Sequence, residues 1–175
     1  PLAATPTLFQ DQNGAPLKFF DAVVGGRSVG TPGTPALMET AHRKWGKSNW
    51  GGLFTDAIRL AEMGFAVSPR MAESIANDAE RLSRSPETAA YFLPEGAPLK
   101  AGQVITNQPY ADVLRRIAME GTDAFYTGPV AADIVRTVQS AAGNPGVLSE
   151  LDLALYQVKE RPAVCASYRA YEACG

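Results

Sequence analysis

The feature that most constrains the fold is a helix signal repeated between Thr34 and Tyr156. Ser or Thr followed by Pro marks a helix start, because the hydroxyl caps the first turn and Pro suits the first helical position. Such starts occur at Thr34-Pro35, Ser68-Pro69 and Ser85-Pro86. Glycines after the apolar-periodic stretches predict the helix ends, at Gly46, Gly64, Gly121 and Gly143. The middle of the chain is therefore predicted to be a series of helices.

Apolar residues recur at helical spacing within these segments. The segment after Ser68, for example, carries a stripe of Ala72, Ile75, Ala76, Ala79 and Leu82. Ser149 and Asp152 fit a capping box ahead of one more short helix. The pattern thus supports helices over most of residues 34–157.

The two ends of the chain differ from this helical middle. Residues 1–33 are predicted to be β and turn, with strand-like runs at 7–10 and 23–29 and a turn at Asn13-Gly14. Residues 158–175 show a period of two, which predicts a β-hairpin. We expect a single α+β unit, predominantly helical, with short terminal β segments.

A turn near Arg169-Ala170 would place Cys165 directly opposite Cys174 in the predicted hairpin. Paired strand residues have Cα atoms ~4.5–5.5 Å apart, which overlaps the range that a disulfide needs. A cross-strand disulfide is therefore expected if the protein matures in an oxidising compartment. The alternative is two unrelated thiols, since Arg-Ala is poor chemistry for a tight turn. Both alternatives stay open at the level of sequence.

Composition excludes several classes of function. The 175 residues carry 16 Lys and Arg against 18 Asp and Glu, which argues against a nucleic-acid or membrane-surface protein. No apolar run approaches the ~18 residues that a membrane span needs. With one His and two Cys, zinc clusters and haem attachment are excluded. We expect no cofactor, no metal and no nucleic-acid partner.

Four groups of residues invite a catalytic or binding interpretation, and none forms a complete site. Residues 46–48 read Gly-Lys-Ser but lack the earlier glycine of a phosphate loop, so a helix end explains them better. Residues 25–30 are glycine-rich without the dinucleotide spacing. His42 has no nucleophile elbow to join it, and Glu73 and Glu80 fall on a solvated helix face. We assign no catalytic, substrate-binding or metal-ligating residue in this chain.

Several segments, in order, resemble the large subunit of γ-glutamyltranspeptidase, an N-terminal-nucleophile hydrolase. Each motif is short, but together they extend across essentially the whole chain. They are VGTPGTP at 29–35, the aromatic-glycine step Trp45-Gly46, AIRLAEMGFAVS at 57–68, FLPEGAPL at 92–99, GTDAFYTG at 121–128, LDLALY at 151–156 and YRAY at 168–171. The family usually has Gly where this chain has Ala170 in the last motif.

The resemblance implies part of the αββα fold and a γ-glutamyl acyl transfer. In the family, one precursor cleaves itself, and the new N-terminal Thr of the small subunit becomes the nucleophile, with glutathione as the typical donor. The motifs that hold this Thr, the substrate-binding arginine and a Pro-Ser-Ser-Gly-Gly loop do not match any position here. The chain is therefore expected to be catalytically inactive by itself. It is expected to support the catalytic core and to pair with the small subunit of the same precursor.

Three further expectations follow. Residue 1 is Pro rather than Met, and Gly175 follows directly on a predicted strand, so we expect the polypeptide to continue. The resemblance implies a periplasmic or secreted protein. Two alternatives to the transpeptidase remain, namely a β-lactam (cephalosporin) acylase of the same architecture and a non-catalytic helical binding module.

Overall fold

The computed structural model describes all residues from Pro1 to Gly175. Helices dominate it, and the only sheets are two pairs of short strands. The α-helices are α1 (Phe19–Val23), α2 (Thr34–Trp45), α3 (Thr55–Met63), α4 (Pro69–Asn77), α5 (Ala79–Leu82), α6 (Pro86–Phe92), α7 (Gln108–Glu120), α8 (Asp123–Tyr126), α9 (Gly128–Gln139) and α10 (Glu150–Ala154). Single 3₁₀ turns cover Gly51–Phe54 and Pro94–Gly96. The strands are β1 (Phe65–Ala66), β2 (Val104–Ile105), β3 (Cys165–Tyr168) and β4 (Tyr171–Cys174).

The predicted helix starts in the middle of the chain are confirmed by their caps. The Ser68 hydroxyl accepts the Met71 amide at 3.1 Å, and Ser85 caps α6 in the same way. Ser149 and Asp152 form the complete capping box of α10. These caps act within one turn, which is why the local sequence predicts them.

The start of α2 differs from the prediction by one residue. The cap is Gly33, Thr34 is already helical, and Pro35 follows it. A side chain at Gly33 would place its Cβ 2.1 Å from the Tyr156 hydroxyl oxygen. The close approach of Tyr156 thus leaves room only for glycine at position 33, and the local sequence does not reveal this approach.

The predicted strands in residues 1–33 are wrong. Apart from one isolated bridge, between Gln10 and Pro16, this region forms no β pairing, and it contains helix α1. The turn at Asn13-Gly14 is confirmed, since the Asp11 carboxylate accepts the Asn13 amide at 2.8 Å. The strand-like run at 23–29 finds no partner strand. A side chain from a distant loop pairs with its backbone instead, as described below.

The helical region contains one small sheet that the sequence pattern does not predict. Strands β1 and β2 pair antiparallel, with Phe65 opposite Ile105 and Ala66 opposite Val104. Two residues per strand are too few to show the alternation that predicts a strand, so the sequence pattern predicts only helices here. The pairing closes residues 67–103 into a compact loop of helices.

Two separate clusters of buried apolar residues form most of the core, and four further buried apolar residues, Ala61, Ala111, Leu114 and Ile117, lie on α3 and α7. The first, here called the 67–105 cluster, consists of Val67, Ile75, Leu93, Leu99 and Ile105. The second, called the 126–153 cluster, consists of Tyr126, Ala131, Val135, Val138, Leu148 and Leu153. Helix α7 packs against α3, which leads into β1, and against α8, which contains Tyr126 of the 126–153 cluster. None of the helices combines the length and apolar character that crossing a lipid bilayer requires.

The C-terminal hairpin has the predicted register. Cys165 lies opposite Cys174 and Tyr168 lies opposite Tyr171, with Arg169 and Ala170 at the turn. Arg169 adopts a left-handed backbone conformation, with φ of 56°. Every residue from 161 to 175 is exposed to solvent. The hairpin therefore stands outside both core clusters.

Candidate functional site

The single histidine is engaged in local structure. His42 Nε2 lies 2.8 Å from the Ser48 carbonyl oxygen, and its ring packs against Trp50 with centroids 5.2 Å apart. The same contact fixes residues 46–48 just after the end of α2, away from any strand. His42 and the Gly-Lys-Ser run thus stabilise the connection that leaves α2, and the helix ends at Gly46 as the sequence predicts.

The glycine-rich segment 25–30 is bound to a loop at the far end of the chain. The amides of Gly26 and Arg27 both donate to the Asn144 carbonyl oxygen, at 2.8 and 3.2 Å. A Cβ on Gly26 would lie 1.9 Å from the Val138 carbonyl oxygen, so only glycine fits at this approach. Because these amides already have a partner, they offer no anion site.

The side chain of Asn144 completes this junction. It is buried, with 7% of its surface exposed, and its Nδ2 donates to the carbonyls of Val24 at 2.8 Å and Ala22 at 3.3 Å. Its Oδ1 accepts the Arg27 guanidinium at 2.7 Å. The sequence analysis missed Asn144, because a lone Asn in a Gly-rich loop looks like an ordinary turn residue.

The acidic residues Glu73 and Glu80 do not form an acid/base pair. Both are exposed, and Glu80 lies 3.9 Å from the Arg84 guanidinium. Asp78 is paired with Arg81 on the same surface. This face of α4 and α5 is solvated, as expected from the sequence.

An open cleft of about 1230 Å³ lies beside this face. Its walls combine residues 20–29, residues 78–88 and residues 136–144. Arg81 lies 4.4 Å from the centroid of the Phe20 ring at one side. Three acidic and three basic side chains line it, so its lining does not favour a ligand of either charge.

The segment Thr31-Pro32-Gly33 is held by two tyrosines. The Tyr126 hydroxyl donates to the Pro32 carbonyl at 2.7 Å and accepts the Ala36 amide at 3.3 Å. The Tyr156 ring stacks on Tyr126, with centroids 5.7 Å apart and planes 5° from parallel. Burial raises the pKa of Tyr126, so this hydroxyl stays protonated and keeps donating to Pro32.

A carboxylate on α2 holds the turn between α7 and α8. Glu39 accepts both the amide of Thr122, at 3.1 Å, and the Thr122 hydroxyl. Arg43 lies 2.7 Å from the other oxygen of the same carboxylate. Desolvation by burial opposes ionisation, but the hydrogen bonds from Thr122 and the charge of Arg43 prevail and lower the pKa of Glu39.

A second carboxylate joins the start of the chain to α10. Asp152 Oδ1 accepts the Leu2 amide at 2.5 Å, and Oδ2 accepts the Ser149 amide at 2.8 Å and the Ser149 hydroxyl at 2.7 Å. The Leu2 amide, followed by the Ser149 hydroxyl, lowers the pKa of Asp152 below its ordinary value. Both oxygens of this carboxylate accept structural hydrogen bonds, so it is not free to act as a base.

Only one group of side chains has the composition of a metal site. Cys165, Glu172 and Cys174 come within 4.8 Å of one another on one face of the hairpin. The two cysteine sulfurs are bonded to each other, with Cα atoms 4.1 Å apart, so no thiolate is available to a metal ion. Titration of free thiols in the unreduced protein tests the bridge and is expected to find none.

Five of the seven segments that carry the family resemblance pack together in two groups, whereas Trp45-Gly46 and YRAY lie outside both clusters. VGTPGTP, GTDAFYTG and LDLALY meet at the 126–153 cluster, through Pro32, Tyr126 and Tyr156. AIRLAEMGFAVS and FLPEGAPL meet at the 67–105 cluster, through Val67, Leu93 and Leu99. The motifs of this chain are therefore packing motifs, and the chain brings together no nucleophile and base.

Comparison with known proteins agrees with this architecture. The protein resembles, with a TM-score of 0.91 and 33% identity, the crystal structure of γ-glutamyltranspeptidase from Helicobacter pylori, covering 99% of this chain and 49% of that one. The fold is accordingly that of a partial N-terminal-nucleophile hydrolase, of the α+β class. The model of the family described as Gamma-glutamyltranspeptidase matches residues 1–175. The chain belongs to the γ-glutamyltranspeptidase family.

Two curated relatives show the range of the family. The glutathione hydrolase proenzyme of Bacillus subtilis strain 168 is 38% identical over 174 residues, which are 98% of this chain and 29% of the relative. The acylase ACY 1 proenzyme of Pseudomonas sp. strain SE83 is 36% identical over 153 residues, covering 87% of this chain and 27% of the relative. The chain thus spans less than a third of the length of these relatives.

Proposed function

We propose that this chain is part of an enzyme that transfers or hydrolyses the γ-glutamyl group of glutathione and related γ-glutamyl amides. The observation that carries the proposal is the family match over residues 1–175, and five of the seven matching motifs contribute to the two core clusters.

In this proposal, the chain supports a catalytic centre contributed by other parts of the same precursor. The nucleophile is the N-terminal Thr of a small subunit, whose α-amino group removes the hydroxyl proton as the oxygen attacks the γ-carbonyl carbon. Backbone amides stabilise the oxyanion, and water or an amino-acid amine then takes the acyl group. The chain's own contribution is to fix the segments joined at the two core clusters.

The test is an assay of the full-length precursor with a γ-glutamyl anilide. We expect self-cleavage into two subunits, followed by release of the aniline, and no release by residues 1–175 alone. Replacing the new N-terminal Thr by Ala in the small subunit serves as the control and should abolish both. A precursor that neither cleaves itself nor releases the aniline would favour the non-catalytic binding module.

A cephalosporin acylase is the second candidate, and the likeness to the crystal structure of cephalosporin acylase from Bacillus halodurans supports it, with a TM-score of 0.77 and 27% identity over 86% of this chain and 28% of that one. Side-chain amides of cephalosporins should then be cleaved faster than γ-glutamyl anilide by the same purified enzyme. The ratio of kcat/KM for the two substrates distinguishes these candidates. A ratio in favour of the γ-glutamyl anilide supports the transpeptidase.

The isolated chain is proposed to self-associate or to be marginally stable. Large apolar side chains remain uncovered, including Trp45 at 71%, Met63 at 73% and Tyr171 at 76% exposed. Contiguous exposed apolar surface is typical of interfaces. Light scattering after size exclusion should detect oligomers, and a monomer with cooperative unfolding at high temperature would contradict this.

A periplasmic or secreted location is also part of the proposal. A disulfide such as Cys165–Cys174 persists in oxidising compartments, which supports this assignment. Fractionation of cells that express the full-length precursor tests it, and recovery of the mature enzyme in the cytosol would overturn it.

A further inference from the structure

We draw no further inference here: the strongest candidate, the open cleft of about 1230 Å³ between helices α5 and α6 on one side and residues 20–29 and 136–144 on the other, carries nothing, because the chain spans less than a third of the length of its relatives and nothing in the structure shows what covers the cleft.

Discussion

The two core clusters are built in different ways. The 67–105 cluster draws its members from one stretch of chain that the β1–β2 pairing closes. The 126–153 cluster is completed by Val29 and Ala36, about a hundred residues earlier, and polar bonds fix these segments in place. Asn144 to Val24 and Tyr126 to Pro32 span 120 and 94 residues.

This difference shows two ways in which a family motif can stabilise the fold, by apolar packing alone or by packing combined with buried polar contacts. The 67–105 cluster needs apolar side chains at helical spacing and capped helix starts, both of which act locally. The 126–153 cluster also needs particular polar atoms at particular points, because an unpaired buried polar group costs about 1–3 kcal/mol. We expect its polar contacts to be the less replaceable part of the chain.

The largest effect is expected from Leu153→Ala, in the 126–153 cluster. Leu153 is 1% exposed, so the substitution leaves a cavity and should lower the free energy of unfolding by about 3 kcal/mol. Chemical denaturation checks the value. Leu151→Ala, on the same helix at 57% exposure, is the control and should stay within about 0.5 kcal/mol.

Hydrogen exchange on the same variant sharpens the comparison. Leu153→Ala should reduce amide protection at 22–29 as well as at 126–153, since these segments share contacts. Ile75→Ala should reduce it mainly within 67–105. Equal loss of protection in both clusters, from either variant, would show that they do not differ as described.

Asn144→Ala is expected to have the next largest effect. It removes the partners of the Val24 carbonyl and the Arg27 guanidinium, and the loss should lower the free energy of unfolding by about 2 kcal/mol. Thermal or urea unfolding measures this. Asn13→Ala, on an exposed turn, is the matched variant, and a similar loss there would contradict the assignment.

Glu39→Gln should have a smaller effect that depends on pH. The pKa of Glu39 is lowered in the folded state, so its contribution is present above the ordinary value of 4.5 and is lost as the pH falls through the folded-state pKa. At neutral pH the variant should be less stable by about 1 kcal/mol. In acid the two proteins should converge.

Urea unfolding at a series of pH values gives the test for Glu39. Glu73→Gln, on an exposed helix face, is the matched control and should change the free energy of unfolding at neutral pH by less than about 0.5 kcal/mol. A constant difference between Glu39→Gln and the unmodified protein down to the lowest pH would contradict the linkage.

The smallest effect is expected from replacing both cysteines by Ser. Because residues 161–175 are exposed and outside both clusters, unfolding of the helices should change by less than about 0.5 kcal/mol. Differential scanning calorimetry checks this. A large fall in melting temperature would mean that the hairpin packs on the helices more than its exposure indicates.

Much of the local structure could be predicted from the sequence. The caps at Ser68, Ser85 and Ser149 and the helix end at Gly46 are confirmed, because each depends on residues within one or two turns. The hairpin register is confirmed for the same reason, since a short turn fixes it. The strands predicted in residues 1–33 failed, because alternation predicts a strand only where a partner strand exists.

The candidate site was less accessible to sequence reasoning. The helix end at residues 46–48 was expected from the sequence, whereas the contact of His42 with Ser48 was not, and the family resemblance supplied the class of enzyme. No local signal indicated that Asn144 binds residues 22–27 or that Glu39 binds Thr122, because a single polar residue in a loop or on a helix is most often solvated. Their importance depends on burial, which becomes visible only with the partner segment in place.

The sequence by itself determined where the helices begin and end, how the cysteines face each other, and to which family the chain belongs. These properties are set by hydrogen bonds and spacing over a few residues, or by motifs that keep their order. The tertiary structure alone decided that Asn144 completes the segment 22–27 and that Glu39 holds Thr122, 83 residues away. The physical reason is that a buried polar atom must find a partner, and only the folded chain decides which one is within reach.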